Sequence, residues 1–306
     1  MRDRITPILI GAALAALICL PAKAGDPNWV TGPQRNFDIK SLKIDDVLGT
    51  VKIDVRDGGQ TVLQISGLKQ RVDGLTVAQS NGVLSIKGHA ERSVWDWSKW
   101  FDFSYNDTKP NQLFVLLTIP KATRVDVNEI VGRATIGNTE GVMNYSSAGY
   151  TESTIGNVSE AHISLAGSGK INVGNVAGAL SADTAGSGDI KVGSASKVDA
   201  DIAGSGSIQV GRIVGPLKVD IAGSGDFSAA SVNGSVETDI AGSGSVTIAG
   251  GEANPLHVDI MGSGNVTFGG TAVNPDISAM GSGSVKLKAY RGKLSNGGMS
   301  NLKIGD

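Results

Sequence analysis

The segment LKVDIAGSGDFSAASVNGSVETDIAGSGSVTIAG, residues 217–250, contains two copies of the short motif, AGSG, from which the fold can be inferred. The motif recurs along the second half of the chain, first as AGSG and then as MGSG, at spacings of 18 to 20 residues. Its seven copies begin at Ala166, Ala185, Ala203, Ala222, Ala241, Met261 and Met280. A fixed short period indicates a solenoid, in which each repeat is one structural unit stacked on the last.

Each copy alternates apolar and polar residues on both sides of its glycines. Before the motif, Leu217, Val219 and Ile221 are apolar, whereas Lys218 and Asp220 between them are polar. After the motif the alternation resumes, and a third, shorter segment leads into the next copy. Strict alternation is typical of a strand with one buried face. Each copy therefore predicts two short strands and a short third side.

These features predict an all-β fold, a right-handed parallel β-helix (β-solenoid) with about 19 residues per coil. Two degenerate copies of the repeat begin at Glu129 and Ala148 and continue the same spacing towards the N-terminus. The regular array is therefore expected to contain about nine coils over residues 125–289. A helical alternative is disfavoured, because the apolar period is two and each glycine costs about 1 kcal/mol in a helix interior.

The two glycines of each motif are expected to form a corner of the coil. Glycine adopts positive φ without steric cost, and a corner repeated in every coil needs the same backbone angles each time. The predicted corner residues are Gly167, Gly169, Gly186, Gly188, Gly204, Gly206, Gly223, Gly225, Gly242, Gly244, Gly262, Gly264, Gly281 and Gly283.

Residues 1–24 have the pattern of a secretory signal peptide. Arg2 and Arg4 precede an apolar run, and Ala22-Lys23-Ala24 is a small-x-small cleavage site. Export is therefore expected, to the periplasm or to the cell surface and medium. No transmembrane segment is expected once this signal has been removed, because no other long apolar run follows.

The other flanking regions divide by composition. Residues 25–36 are expected to be a flexible leader, and residues 37–124 an all-β region with turn-forming pairs. These pairs are Asp57-Gly58, Asp73-Gly74 and Asn81-Gly82. The region is either a set of irregular coils continuous with the solenoid, which the absence of a linker favours, or a separate capping sheet. Residues 290–306 leave the repeat register and are expected to cap the C-terminal end.

An insertion at residues 93–107, SVWDWSKWFDFSYND, concentrates large aromatic side chains. Aromatic rings stack on sugars and anchor protein partners, so the insertion is a candidate binding platform. The candidate ligand-binding residues are Trp95, Trp97, Trp100, Phe101, Phe103 and Tyr105. The alternative is that these rings cover an open end or a seam of the solenoid.

A row of aspartates lies two residues before the motif in five copies, at Asp183, Asp201, Asp220, Asp239 and Asp259. In a parallel solenoid these carboxylates stack on one outer face. They are candidate ligands for a hard cation such as calcium. The alternative is a solvated row that discourages aggregation, helped by nearby Lys191 and Lys218.

Composition and motifs exclude several function classes. The chain has 306 residues, 43 of them glycine, and a formal net charge of −2, with no basic stripe. Nucleic acid is therefore not expected as a partner. The sequence has no HExxH or GxSxG elbow, so no catalytic residue and no cofactor is expected. A polysaccharide-acting enzyme remains an alternative, since Lys170, Asp189 and Lys191 could cluster on one sheet.

Several motifs together resemble a known family. They are FDIKSLKIDDVLGTVKIDV from Phe37, VLSIKG from Val83, LTIPKATRVDV from Leu117, and the AGSGDI-like repeats. This set is similar to the putative auto-transporter adhesin family with the GIN head domain, which comprises exported bacterial proteins of unknown function. The resemblance covers about residues 37–289 and implies a right-handed β-helix and export. It carries no known site residues, and the aromatic insertion is not part of the motif pattern.

The sequence thus favours a non-enzymatic, exported β-helix protein that acts as an adhesin or as a surface- or glycan-binding protein. Its expected partner is a cell-surface glycan or another exported protein. The alternatives are a polysaccharide-acting enzyme and a periplasmic structural protein. Carboxylates clustered in a groove would favour the enzyme, and flat polar faces would favour binding.

Overall fold

A computed structural model describes residues 27–88, 112–297 and 301–305 of the chain, and these ranges are nearly all β-strand. The first part contains seven strands and one short helix. They are β1 (Trp29–Thr31), β2 (Arg35–Phe37), β3 (Ser41–Arg56), β4 (Thr61–Leu68), α1 (Lys69–Asp73), β5 (Thr76–Ser80), β6 (Val83–Lys87) and β7 (Leu113–Pro120).

The repeat region and the C-terminal stretch supply the other described strands. Those of the earlier coils are β8 (Arg124–Ile136), β9 (Val142–Gly149), β10 (Thr151–Ile155), β11 (Glu160–Gly167), β12 (Lys170–Asn175), β13 (Ala179–Gly186), β14 (Asp189–Ala195), β15 (Lys197–Gly204) and β16 (Ser207–Ile213). Those of the later coils are β17 (Leu217–Gly223), β18 (Asp226–Gly242), β19 (Ser245–Ile248), β20 (Gly251–Gly262), β21 (Asn265–Val273), β22 (Asp276–Gly281), β23 (Ser284–Arg291), β24 (Ser295–Gly297) and β25 (Leu302–Ile304).

Each repeat strand pairs in parallel with the equivalent strand of the next coil. β13 pairs with β15, and β15 pairs with β17, so that equivalent residues of successive copies lie side by side. The solenoid has about nine turns with equivalent residues about 19 positions apart, which confirms the predicted fold class. A short third ladder runs along the remaining side, for example from Ala195 to Ile213 and then to Val232.

The core lies inside the coils and consists mainly of stacked aliphatic side chains. In β17, Leu217, Val219 and Ile221 are each no more than 2 % exposed, as the alternation predicts. Phe227 and Phe268 are among the largest fully buried side chains. Fully burying one such apolar side chain contributes about 1.5–3 kcal/mol, and the same columns repeat in every coil. The stacking of these columns is therefore the main source of stability.

The glycine motif forms a sharp corner between the two main strands. The first glycine of every copy has φ between +116° and +135°. A Cβ added at Gly204 would lie 2.6 Å from the carbonyl oxygen of Gly186, one coil away. The second glycine also faces a close neighbour, because a Cβ at Gly206 would lie 2.6 Å from the carbonyl oxygen of Gly188. Both positions therefore exclude any side chain.

A second corner is held by stacked asparagines. The side-chain oxygen of Asn138 accepts a hydrogen bond of 2.8 Å from the backbone N–H of Asn157. Asn157 repeats this contact with the N–H of Asn175, also at 2.8 Å. The hydroxyl of Ser194 then donates to the side-chain oxygen of Asn175 at 2.9 Å. Each side chain thus satisfies a polar group of the following coil at a place where the strands end.

The N-terminal region is continuous with the solenoid and also caps it. The long strand β3 pairs in parallel with β6, β7 and β8, so it extends the stack of coils upstream. On the far edge of β7, β4 pairs antiparallel, and β1 and β2 pair antiparallel with β4 in turn. The region thus combines features of additional coils with those of a capping sheet. The antiparallel strands cover an end whose parallel edges would otherwise be open.

The turn pairs of this region behave differently from one another. Asn81 and Gly82 both have positive φ and connect β5 to β6 as a tight hairpin. The expectation that Asp73-Gly74 forms a turn between strands was wrong, because these two residues form the C-terminal end of helix α1. The N–H of Gly74 donates to the carbonyl oxygen of Gln70, one helical turn earlier. The helix had no apolar periodicity long enough to reveal it, since it spans only five residues.

The C-terminal stretch continues the solenoid, and its predicted role as a cap stays a prediction. β24 pairs in parallel with β22, and β25 pairs in parallel with β23, so part of one more coil is formed beyond the repeats. Across the ranges that the structure describes, no helix has the length and the apolar character needed to cross a membrane.

Candidate functional site

Two neighbouring columns of outward-facing residues form a groove on one face of the solenoid. Both columns lie on the strand that precedes the glycine corner, where residues two apart point to the same side. The first column, here the acid column, is Ser164, Asp183, Asp201, Asp220, Asp239, Asp259 and Ser278. The second, here the methyl column, is Ala166, Ala185, Ala203, Ala222, Ala241, Met261 and Met280.

The groove is long and open to solvent. Its volume is about 890 Å³. It crosses seven coils, and at about 4.8 Å between neighbouring strands it extends roughly 29 Å along the solenoid axis. Most of the lining surface is apolar, because the methyl column contributes alanine methyl groups and methionine side chains to it. Met261 and Met280 are adjacent at one end and are 65 % and 71 % exposed.

The acid column is only partly neutralised. Lys218 forms an ion pair with Asp220, and His257 Nε2 lies 3.1 Å from Asp259 Oδ2. Among the described residues, no basic side chain forms an ion pair with Asp183, Asp201 or Asp239. Lys191, which the sequence analysis placed near this row, lies in β14, beside Gln209. It belongs to the second sheet, which consists of the strands that follow the glycine corner in each coil.

Burial and mutual repulsion make the central carboxyls unusually weak acids. Burial raises the pKa of Asp201 to about 6, and the negative charges of Asp183 and Asp220 add to this effect. The residue is exposed overall, but its carboxyl lies against those of the neighbouring coils. The pKa values of Asp183 and Asp239 are also raised, with burial again the largest cause. Like charges stacked on successive strands destabilise one another, and protonation relieves the repulsion.

This raised pKa predicts that the protein becomes more stable as the solution is acidified towards pH 5. The folded state holds the Asp201 proton up to about pH 6, whereas the unfolded chain releases it near 3.8. The folded state therefore binds more protons in this interval, and its stability falls as the pH rises through 6. The check is the urea midpoint of the native protein and of Asp201→Asn at several pH values.

The Asp201→Asn variant isolates this contribution. It should be more stable than the native protein at neutral pH, and its midpoint should depend less on pH between about 4 and 7. Asp226→Asn is the matched control, since Asp226 is exposed on the second sheet and its register neighbours, Ser207 and Ser245, are uncharged. If the urea midpoints of the native protein and of Asp201→Asn change with pH in parallel, the raised pKa of Asp201 is contradicted.

The structure brings the five predicted aspartates into one column but gives them no common centre. Each carboxylate belongs to its own coil, and register neighbours follow one another along the axis. Within the described ranges, no group of three or more His, Cys, Asp or Glu side chains is arranged to hold a metal ion. A cation bound along the column remains a prediction.

The other sequence candidates lie elsewhere. Trp95, Trp97, Trp100, Phe101, Phe103 and Tyr105 fall outside the described residues. Lys170 and Asp189 are register neighbours on the second sheet, and Lys191 is two residues further along β14. All three are exposed, and none of them lines the groove.

Sequence reasoning missed the methyl column as a functional surface. The sequence signal for this column was the alanine that begins each AGSG copy. Alanine at this outward position leaves room that a larger residue would fill. The replacement of alanine by methionine in the last two copies was a second signal, since an exposed methionine has no role in the core.

Comparison with known proteins gives one family and several structures. The family model described as "Putative auto-transporter adhesin, head GIN domain" matches residues 43–251 and 216–295. No curated protein matches the chain. A crystal structure of a putative adhesin from Bacteroides fragilis is 17 % identical, with a TM-score of 0.52 over 72 % of this chain and 97 % of that chain.

A putative lipid binding protein from Parabacteroides distasonis is 19 % identical, with a TM-score of 0.45 over 88 % of this chain and 98 % of that chain. A putative adhesin from the same organism is 15 % identical, with a TM-score of 0.38 over 89 % of this chain and 98 % of that chain. At 17 % identity, the likeness to the Bacteroides fragilis structure concerns the fold alone.

Proposed function

Since the chain belongs to the putative auto-transporter adhesin family with the head GIN domain, we propose that it is an exported, non-enzymatic binding protein of adhesin type. It holds its partner in the groove between the acid column and the methyl column. That partner is a component of the cell surface, either a glycan or another exported protein.

The groove is the observation that carries this proposal. Soluble proteins seldom expose continuous apolar strips, and those that do generally use them for interaction. Here an apolar strip runs across seven coils, ends in two exposed methionines and is bordered by carboxylates. A solenoid that served only as a spacer would gain nothing from such a strip, because polar outward residues would keep it more soluble.

The arrangement of the carboxylates supports binding over catalysis. Glycoside hydrolysis uses two carboxyl groups on opposite sides of one bond, about 5 to 9.5 Å apart. The acid column presents its carboxylates along a single line, so they all approach a ligand from the same side. Such a row suits repeated contacts with an extended partner. The signal-like pattern of residues 1–24 supports export.

Filling the groove should strongly reduce attachment to cells. The protein, produced with residues 1–24 so that the host exports it, is labelled and incubated with intact bacterial cells, and bound label is measured by flow cytometry. Ala222→Trp places an indole in the middle of the methyl column and should reduce attachment about tenfold. Ala222 is exposed, so the substitution leaves the core unchanged.

Ser228→Trp is the matched control, because it puts the same indole on the outer face of the second sheet, between Gln209 and Thr247. This variant should attach like the native protein. Equal attachment by Ala222→Trp and the native protein would show that the groove is not the binding surface. Equal losses in both variants would show that the added indole, rather than its position, is responsible.

A further inference from the structure

We infer that the groove binds an extended, lysine-rich segment of another exported protein. This inference rests on the proposed function and names the chemistry of the partner. It follows from the charge of the face, the apolar character of the groove and the spacing of its carboxylates.

The charge of this face is strongly negative. The acid column and the next outward column, two residues earlier in each strand, together carry eight carboxylates and a single lysine, Lys218. The next outward column contributes His162, Ser181, Asp199, Lys218, Glu237, His257 and Asp276. A partner of the opposite charge is attracted to this face by long-range electrostatics. It is held most firmly at Asp183, Asp201 and Asp239, which form no ion pair with the residues that the structure describes.

The apolar strip determines which kind of cation fits best. A compact, strongly hydrated metal ion gains nothing from methyl groups. A lysine side chain carries four methylenes below its ammonium group and lays them on apolar surface while the charge reaches a polar partner. Met261 and Met280 enlarge the strip at its C-terminal end with flexible, polarisable side chains that adapt to such stems.

The dimensions match an extended peptide that runs along the solenoid axis. The five aspartates span four coil spacings, or about 19 Å, which is the length of about six residues of extended chain. In an extended peptide every second side chain points to the same side, so three lysines can face this stretch. Three is also the number of its carboxylates that have no ion pair within the described residues, namely Asp183, Asp201 and Asp239.

Other ligand classes fit less well. Among the described residues that line the groove none is aromatic, so a neutral sugar chain would find no ring of these residues to stack on. Phosphate groups of nucleic acid would be repelled by the acid column. A fatty acyl chain would suit the methyl column but would leave the carboxylates without a partner.

The inference is tested with a fluorescent peptide of about ten residues that alternates lysine and alanine, at about 50 mM salt so that screening is limited. Binding to the full chain is followed by fluorescence anisotropy. The peptide should bind saturably, and the same peptide with glutamate in place of lysine should not. Asp201→Asn combined with Asp239→Asn should weaken binding about tenfold.

Asp189→Asn combined with Asp226→Asn is the matched control. Both residues are exposed on the second sheet, so this variant loses the same charge outside the groove and should bind within about twofold of the native protein. Equal weakening by the two double variants would show a general attraction of the acidic protein and would overturn the inference. Met261→Ser combined with Met280→Ser tests the apolar contact. A decrease of about threefold supports it, and an unchanged affinity refutes it.

Two competitors test whether the groove instead binds a metal ion or a sugar chain. Calcium is added at the same concentration of positive charge as the peptide, and a free neutral oligosaccharide at the same mass concentration; displacement of the peptide by the oligosaccharide would also overturn the inference. Displacement of the peptide by calcium at comparable concentration would favour a metal site over a peptide site and overturn the inference. If Ala222→Trp loses cell attachment but the lysine peptide does not bind the native protein, the proposed function stands and the inference fails. If the peptide binds in the groove but Ala222→Trp attaches normally to cells, the proposed function fails.

Discussion

Replacing Gly204 by valine is expected to lower the free energy of unfolding by more than about 3 kcal/mol. Gly204 has φ of +116°, where a β-branched residue is strongly disfavoured. Its added Cβ would also approach the carbonyl oxygen of Gly186 to 2.6 Å, closer than van der Waals contact allows. Neither atom can move away, since both belong to backbones that are hydrogen-bonded between coils. Urea denaturation of the two proteins measures the difference.

Ser205→Ala is the control for this prediction. Ser205 is the next residue of the same corner and its side chain is exposed, so its truncation should change stability by less than about 0.5 kcal/mol. Similar denaturation midpoints for Gly204→Val and Ser205→Ala would show that the corner tolerates a side chain and that the φ angle is not essential.

Replacing Phe227 by alanine should have an effect of similar size for a different reason. Phe227 is 1 % exposed and packs in a column between Ile208 and Val246 of the adjacent coils. Both neighbours are smaller and are fixed on their own strands, so they cannot fill the space that the ring leaves. Loss of a buried phenylalanine side chain costs about 3–5 kcal/mol.

Ser228→Ala provides the comparison, because Ser228 follows Phe227 in the strand and points outward. It should leave the denaturation midpoint almost unchanged. A loss of less than about 1 kcal/mol for Phe227→Ala would mean that the coil contracts around the missing ring, and that the interior is less closely packed than the burial indicates.

The regular coils could be predicted from sequence because each one repeats the same local requirement. The alternation in Leu217, Val219 and Ile221 identifies the buried face, and the glycine motif identifies the corner. The repeat also implies the register, since copies of one residue must stack on one another. For the same reason the repeat alone was sufficient to place the acid column on one outer face.

The N-terminal region was less predictable because its pairing is not repeated. Nothing in the local sequence states that β4 lies antiparallel to β7, which is far away in the chain. The short helix α1 has no buried residue and therefore no apolar pattern. The groove was also missed as a cavity, because its depth depends on how the alanine strip lies beside the aspartates.

The stacking of equivalent residues has a consequence for how such a protein can evolve. The coil that extends from Ala203 to Ile221 could be lost or duplicated in the gene. Loss would join Ile202 to Ala222, and duplication would join Ile221 to a second copy of Ala203, with every column still aligned in both cases. Each such event would change the groove by one carboxylate and by about 4.8 Å. The length of the partner segment that the groove can hold, and the number of contacts that this segment makes, would therefore change by one coil at a time. Unequal recombination between repeats could adjust binding strength stepwise without any new point substitution.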